Sequence, residues 1–350
     1  MSKYNFAVAC AFAASAESTY DATLDAIAGT LTSADGLLLG KSGTGIGDSG
    51  LTLGLGREYD DKSVESGTLT RPISDFLRMT VPTFTFSFPL CGNRANASTP
   101  VVDADCVPLT GMDAILQGAG LVGGAWGSGV GHHYVFGATN LLDALVYVNG
   151  MRLELQDCRC SSLAMQFAAG AIPVGISTIA VGTVKDVSQA SLPGTLTWNE
   201  QASVSAPKIT AVANEWKNTR GFSELTITIA QDIADVPDSN ATDGIVKELD
   251  GRTTTVTGTL FSDDTGSDEI FDADQIEEDT EGNLEELTFE VGDASTDGNP
   301  VKAINYSLPL LELHVSNQDK LGSRAATVIT GVARGASGAG GNDEFDMVFI

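Results

Sequence analysis

The sequence predicts a mainly β protein: a β-sandwich or barrel with one short flanking α-helix and long loops, built as a single domain over residues 1–350. Three observations lead there. Short segments alternating apolar and polar residues recur along the chain, the period of a strand with one face on a core. Gly, Asn, Asp and Pro turns separate them, as in sandwiches and barrels. Helical periodicity is scarce.

The elements follow in order. The opening "KYNFAVACAFAASAES" alternates Tyr4, Phe6, Val8, Cys10 and Phe12 with Asn5, Ala7, Ala9, Ala11 and Ala13. Its Ala14-Ser15-Ala16 also resembles a signal-peptide cleavage site. The run lacks Leu and carries Asn5, so it is read as a retained strand that adds to a sheet. "PTFTFSFPL" puts Phe84, Phe86 and Phe88 on one face and Thr83, Thr85 and Ser87 on the other. The helix is "LTGMDAILQGAGLV": Thr110 as N-cap, Asp113 three residues on as a variant capping box, Met112, Ile115 and Leu116 as the stripe, and Gly118 or Gly120 as the stop.

The strongest local signal is "ALVYVNGMRLELQ". Asn149-Gly150 suits a two-residue type I′ turn, whose positive φ angles match strand twist. Counting outward, Val148 faces Met151, Val146 faces Leu153 and Ala144 faces Leu155 as an apolar face. On the reverse, Tyr147 meets Arg152 and Leu145 meets Glu154. Further strands follow in "LAMQF" with Leu163, Met165 and Phe167 in phase, "VGISTIAVGTV", "ELTITIA" with Leu225, Ile227 and Ile229, "RTTTVTGTLF", "LEELTFEV", "AINYSLPLLELHV", "RAATVITGVA" and "EFDMVFI". Two segments stand apart. A glycine-rich stretch at 33–56, extending as loop to about residue 70, reads as a long flexible arm. An acidic insertion at about 262–294 reads as a solvated loop.

Charge and cysteine narrow the function classes. With 46 acidic and 19 basic residues the formal charge is −27. That disfavours a nucleic-acid reader, which gains affinity by releasing counterions from phosphate, and an anionic membrane surface likewise. No apolar run approaches the ~20 residues of a spanning helix, so a soluble chain is expected. The five cysteines, Cys10, Cys91, Cys106, Cys158 and Cys160, follow no metal-ligand spacing. They are read as buried thiols in a reducing compartment, with the two of Cys158-Arg159-Cys160 diverging from one another.

Several motifs resemble sites without meeting their physical requirements. "GLLLGKS" has three residues between Gly36 and Gly40 where a phosphate loop needs four, and no helix follows Ser42. "GIGDSG", Gly45 to Gly50, lacks the strand–turn–helix frame of a dinucleotide fingerprint. Asp272, Asp274, Glu277, Glu278 and Asp279 have Ile276 at a ligand position and no central Gly, so no calcium loop is read there. His132 and His133 are adjacent, hence diverging, and enter a strand from a Gly-rich turn. With only His314 elsewhere they are assigned a structural role. No GxSxG elbow and no local cysteine-nucleophile signature occur. The reading is a non-enzyme with no catalytic, cofactor-binding or metal site and no cofactor.

An ordered series of segments is similar to the tail tube (major tail) proteins of long-tailed bacteriophages. "AESTYDATLDA" (Ala16 to Ala26) resembles an early Glu-x-x-Tyr-Gly segment, with Asp21 for the Gly. "MDAILQGAGLV" (Met112 to Val122) resembles Leu-Leu-x-Ala-Cys-Gly-Leu, with Gly118 and Ala119 for Ala-Cys. Leu145 to Val184 resembles the family's hairpin, a strand ending in Ala-Gly-x-Pro, and a strand ending in Gly. Pro207 to Ala230 resembles the strand pair that follows. The similarity covers residues 110–230 and reaches the termini loosely; 33–56 and 262–294 have no counterpart.

The resemblance implies a structural virion protein: a β-sandwich flanked by a helix, assembled into hexameric rings that stack as a hollow tail tube. Its implied partners are further copies of itself, the tape measure protein, and the tail terminator and tip proteins. Double-stranded DNA would pass through without specific binding, and no membrane is involved. Assembly would take place in the host cytoplasm. Acidic residues lining the bore would repel DNA over about 8 Å at physiological salt. The dense acidic insertion is placed outside, because so many like charges are costly to confine. The alternatives are a ring-forming tail completion or minor tail protein, a secreted β-sandwich adhesin or surface protein, and a carbohydrate-active enzyme using two carboxylates.

Overall fold

The structure is a computed structural model that describes residues 9–15, 36–38, 51–53, 56–60, 76–80, 83–90, 106–108, 110–127, 129–148, 151–168, 171, 173–189, 209–210, 222–237, 245–261, 284–292, 303–321, 324–335 and 342–350. Among these the chain is mainly β, with one α-helix, α1 (Thr110–Gly118).

Two antiparallel walls carry most of the strands. The first runs β2 (Gly36–Leu38), β1 (Ala9–Ser15), β9 (Leu141–Val148), the first half of β10 (Met151–Ala168), then β12 (Thr183–Gln189). The second runs β3 (Leu51–Leu53), β6 (Thr83–Pro89), β11 (Val174–Ala180) and the second half of β10. It continues through β14 (Phe222–Pro237), β15 (Ile245–Phe261), β18 (Arg324–Ala333) and β17 (Ala303–Leu321). At β17 the wall forks. The first half of β17 lies between β16 (Leu284–Gly292) and β19 (Asp346–Phe349), and β19 leads on to β8 (His132–Phe136) and β7 (Leu121–Ala125). The short β13 (Ile209–Thr210) pairs with β16, and β4 (Gly56–Asp60) pairs with β5 (Phe76–Thr80) as a separate ribbon.

The linked strands curl as a barrel. Followed ladder by ladder among the described residues, the pairings branch without rejoining, and a shared core holds the walls together. One core cluster joins both walls, from Val146 and Leu155 of the first to Phe86, Leu163, Ile227 and Tyr306 of the second. Phe84, Phe86 and Phe88 are fully buried, each stabilising by roughly 1.5–3 kcal/mol relative to exposure. An exposed ion pair such as Lys247–Asp235 (2.5 Å) contributes about 0.2–1 kcal/mol. The inner face therefore decides the fold.

β10 serves both walls by turning a corner. Its ladder to β12 ends at Gln156↔Thr183, and its ladder to β11 begins at Arg159↔Ala180. Between them Asp157 takes a left-handed φ of 53°, a conformation that costs a non-glycine residue energy. Its amide donates to Asp143 Oδ1 on β9 at 3.1 Å, and Asp143 is itself buried. Opposite, Val181 and Gly182 break "VGISTIAVGTV", expected as one strand, into β11 and β12. A β-carbon at Gly182 would collide with the Asp157 carbonyl oxygen. Glycine is thus required by close approach.

The helix is too short to be stable alone and is held by contacts. Met112, Ala114, Ile115 and Leu116 are buried. Gly118 lets the last turn sit against Leu142, whose side chain occupies the space of a β-carbon there. Gly120, at φ 86°, ends the helix in the left-handed C-terminal arrangement. Gln231 Nε2 donates to the Gly118 carbonyl at 3.4 Å. Asp113, expected in a capping box, instead accepts from Gln117 Nε2 (2.8 Å) and from the Tyr134 hydroxyl (2.6 Å), tying the helix to β8.

The hairpin register agrees pair for pair with the sequence expectation, from Val148↔Met151 to Leu155↔Ala144; Asn149-Gly150 itself lies outside the described residues. The reverse face differs, because Leu145, Tyr147 and Glu154 are buried as well. Ala9–Ser15 is a strand between β2 and β9; Tyr4 to Val8 lie outside the described residues.

Three expectations need correction. The arm at 33–56 holds β2 and β3 and starts β4, because Leu37, Leu38, Leu51 and Leu53 give the loop paired strand segments. The acidic insertion ends in β16, whose alternating Leu287, Phe289 and Val291 are buried; residues 262–283 lie outside the described residues. Cys158 and Cys160 do not diverge: alternate strand residues share a face, and both thiols are fully buried in the one core.

Gly182→Ala is expected to lower stability by about 1–3 kcal/mol through overpacking at the corner, read as an earlier urea midpoint; an unchanged midpoint would contradict the steric account. Desolvation holds the Asp157 carboxyl above its usual range, with Arg159 partly opposing. Its charge therefore disfavours folding above the folded pKa, and that penalty fades as pH falls through it. Asp157→Asn should accordingly be more stable than the parent at neutral pH, with the advantage shrinking on acidification.

Candidate functional site

The fork at β17 builds one extended face. Register places Thr288, Ser307, Asp346, Val135 and Val122 in one cross-strand row, and Glu290, Asn305, Val348, His133 and Gly124 in the next. The alternate residues Phe289, Tyr306, Met347 and Tyr134 face the core. There Phe289 and Tyr306 stack with ring centroids 5.0 Å apart. A period-two pattern in four strands thus separates an aromatic inner layer from a polar outer one.

On the outer layer His133 Nε2 lies 2.6 Å from Asp346 Oδ1, both partly exposed. Ser307 is the direct cross-strand neighbour of Asp346. The structure therefore gathers a serine, a carboxylate and an imidazole, but in the order Ser307, Asp346, His133. Nucleophilic catalysis needs the imidazole between hydroxyl and carboxylate to take the proton. The carboxylate occupies that place here, so the trio is a polar cluster and not a triad.

Beside it is a cleft of about 420 Å³ lined by Trp126, Thr288, Glu290, Asn305, Ser307 and Asp346, floored by Val348 and by the strands carrying Phe289 and Tyr306. Trp126 belongs to a tight loop closed by Trp126 N–H to the Gly131 carbonyl (3.1 Å) and by Gly129 N–H to the Trp126 carbonyl (3.4 Å). Gly129 backs the six-membered ring of the indole: a β-carbon there would lie 2.8 Å from it.

Sequence reasoning assigned no site residues, and it missed this cluster. The alternation of "HHYVF" and "FDMVFI" marks His133 and Asp346 as outward-facing, yet nothing local says that β8 and β19 are neighbours. The weighed motifs fall elsewhere. Gly36–Leu38 of "GLLLGKS" is strand paired to β1, which a phosphate cradle could not be. Residues 45–50 and the acidic residues 272–279 lie outside the described residues, as do Cys91 and the side chains of Cys10 and His314. His132 packs edge-on to Tyr134 at 4.9 Å, a structural contact. Among the described residues no group of His, Cys, Asp and Glu is placed to hold a metal, and no helix is long and apolar enough to cross a membrane.

Cys106, Cys158 and Cys160 are buried thiols. Burial pushes the Cys160 thiol up to about 11, with hydrogen bonding by the Ser177 hydroxyl and the Ser162 backbone partly opposing. Burial raises Cys158 further. Native protein at pH 8 is therefore expected to leave both unmodified by a thiol reagent, with labelling only after unfolding in urea. Peptide mapping that finds either labelled in the native state would contradict this. No known protein family matches the chain, and no curated protein is similar to it.

Proposed function

We propose that this protein is a tail tube protein of a long-tailed bacteriophage, forming stacked rings, hexameric by the resemblance, around a bore that conducts DNA. The observation that carries the reading is the ribbon of β14 and β15. These strands are 16 and 17 residues long, about 50 Å at strand rise. Their near halves lie in the second wall, β14 against β10 and β15 against β18. Their far halves, from Gln231 to Pro237 and from Ile245 to Arg252, pair only with each other among the described residues. The outer edge of β17 from Leu313 to Leu321 has no ladder partner there either.

Open strand edges are templates for pairing with another chain, and identical copies supply such edges in a closed ring. Leu249, 37% exposed, sits opposite Ile233 on the ribbon as an apolar pair. Asp232, Asp235, Glu248 and Asp250 are exposed around it. Such charges blunt indiscriminate edge pairing, so the ribbon favours a specific neighbour. The same charges suit a wall that must not hold DNA, since an acidic surface releases no counterions from phosphate. Tape measure, terminator and tip proteins are the partners this reading implies, in the virion tail.

Negative-stain microscopy of the purified chain tests the reading. Long hollow tubes are expected, and Leu249→Glu, a surface change outside the core, should abolish them while circular dichroism stays unchanged. Isolated rings would assign the completion role instead. Monomers at high concentration, for parent and variant alike, would overturn tube formation.

A further inference from the structure

We propose that the cleft beside Trp126 is a saccharide-binding subsite that takes a neutral hexopyranose unit of an oligosaccharide. The inference does not rest on the tube reading. A pyranose ring presents a flat patch of C–H groups and a rim of hydroxyls, so a matching site needs an aromatic wall beside grouped amide, carboxylate and hydroxyl functions. The cleft supplies both. Its volume of about 420 Å³ is in the range of small-molecule pockets, in which a mostly apolar lining carries a few placed polar groups.

The aromatic wall is built rather than incidental. The loop from Trp126 to Gly131 is closed by two backbone hydrogen bonds. Gly129 packs behind the indole, where a β-carbon would lie 2.8 Å from the ring. An exposed Trp with no partner would be mobile; this one is half-buried and edges the cleft.

The polar groups are grouped by register. Asn305 and Ser307 alternate along β17, each opposite an acidic neighbour: Glu290 beside Asn305 on β16, Asp346 beside Ser307 on β19. His133 Nε2 lies 2.6 Å from the Asp346 carboxylate. Thr288 donates to Glu286 at 3.0 Å and keeps its own acceptor capacity. An amide and a carboxylate on neighbouring strands offer both donors and acceptors to sugar hydroxyls, which accept and donate at once. A basic side chain is the competing chemistry, since Trp and carboxylates attract cations. The Asn305 side-chain amide also donates, which a sugar hydroxyl can accept and an ammonium, having no acceptor, cannot.

The test titrates the full-length protein with maltohexaose, cellohexaose and N-acetylchitohexaose, and with hexalysine as the cationic probe. Calorimetry and tryptophan fluorescence are the readouts. Saturable binding of at least one oligosaccharide is expected. It should be lost in Trp126→Ala and weakened by about tenfold in Gly129→Ala and Asn305→Ala. Trp126 and Asn305 lie outside the core cluster, so circular dichroism and the urea midpoint should match the parent. Absence of binding to all three oligosaccharides overturns the proposal. So does oligosaccharide binding that survives Trp126→Ala, or saturable binding of hexalysine alone.

Discussion

A steric allowance at one crossing underlies the architecture: glycine at 182 lets the Asp157 backbone pass where any side chain would collide. Because it does, β10 can leave the wall it shares with β9 and β12 and enter the wall it shares with β11 and β14 without ending. The same crossing turns β11 into β12. Two neighbouring strands therefore change walls together, and one core lies between walls that are covalently continuous. Asp143 receives the Asp157 amide at the turn, so the left-handed residue is over-determined by its surroundings.

The layered order of the rest follows from that continuity. With the walls fixed, Phe84, Phe86, Phe88, Leu163, Met165, Phe167, Leu225, Ile227 and Ile229 all reach the same interior. These residues were legible in the sequence, because a period of two is a local property and burial rewards it. The hairpin register was legible for the same reason, aided by turn chemistry at Asn149-Gly150. The corner was not. Asp157 looks like any polar strand residue, and the reason for Gly182 is a backbone from another strand. The pairing of Cys158 with Cys160 on one face was recoverable from strand geometry alone, and the divergence first inferred was a misapplication of that period.

The polar face shows the limit from the other side. His133, Ser307 and Asp346 each lie at a position whose outward direction is evident from the local pattern. Their meeting depends on β8, β19 and β17 being neighbours, a fact of topology that no segment encodes. Likewise the glycine-rich arm reads as loop by composition, yet Leu51 and Leu53 pair against Phe86 and Phe84 once β6 offers an edge. Long-range edges convert weak local preference into strand.

The same physics links interior and exterior. A chain this rich in strands leaves edges, and the far ribbon of β14 and β15 leaves its own, decorated with acids and with Leu249. If identical copies complete those edges, assembly is the activity and the inner surface of the ring its working part. Amide hydrogen exchange, followed by mass spectrometry in dilute and in concentrated protein, tests this most directly. The outward-facing amides of Gln231 to Val236 and Leu313 to Leu321 should exchange freely in dilute solution and become protected on assembly. Equal protection of those amides at both concentrations would contradict the account.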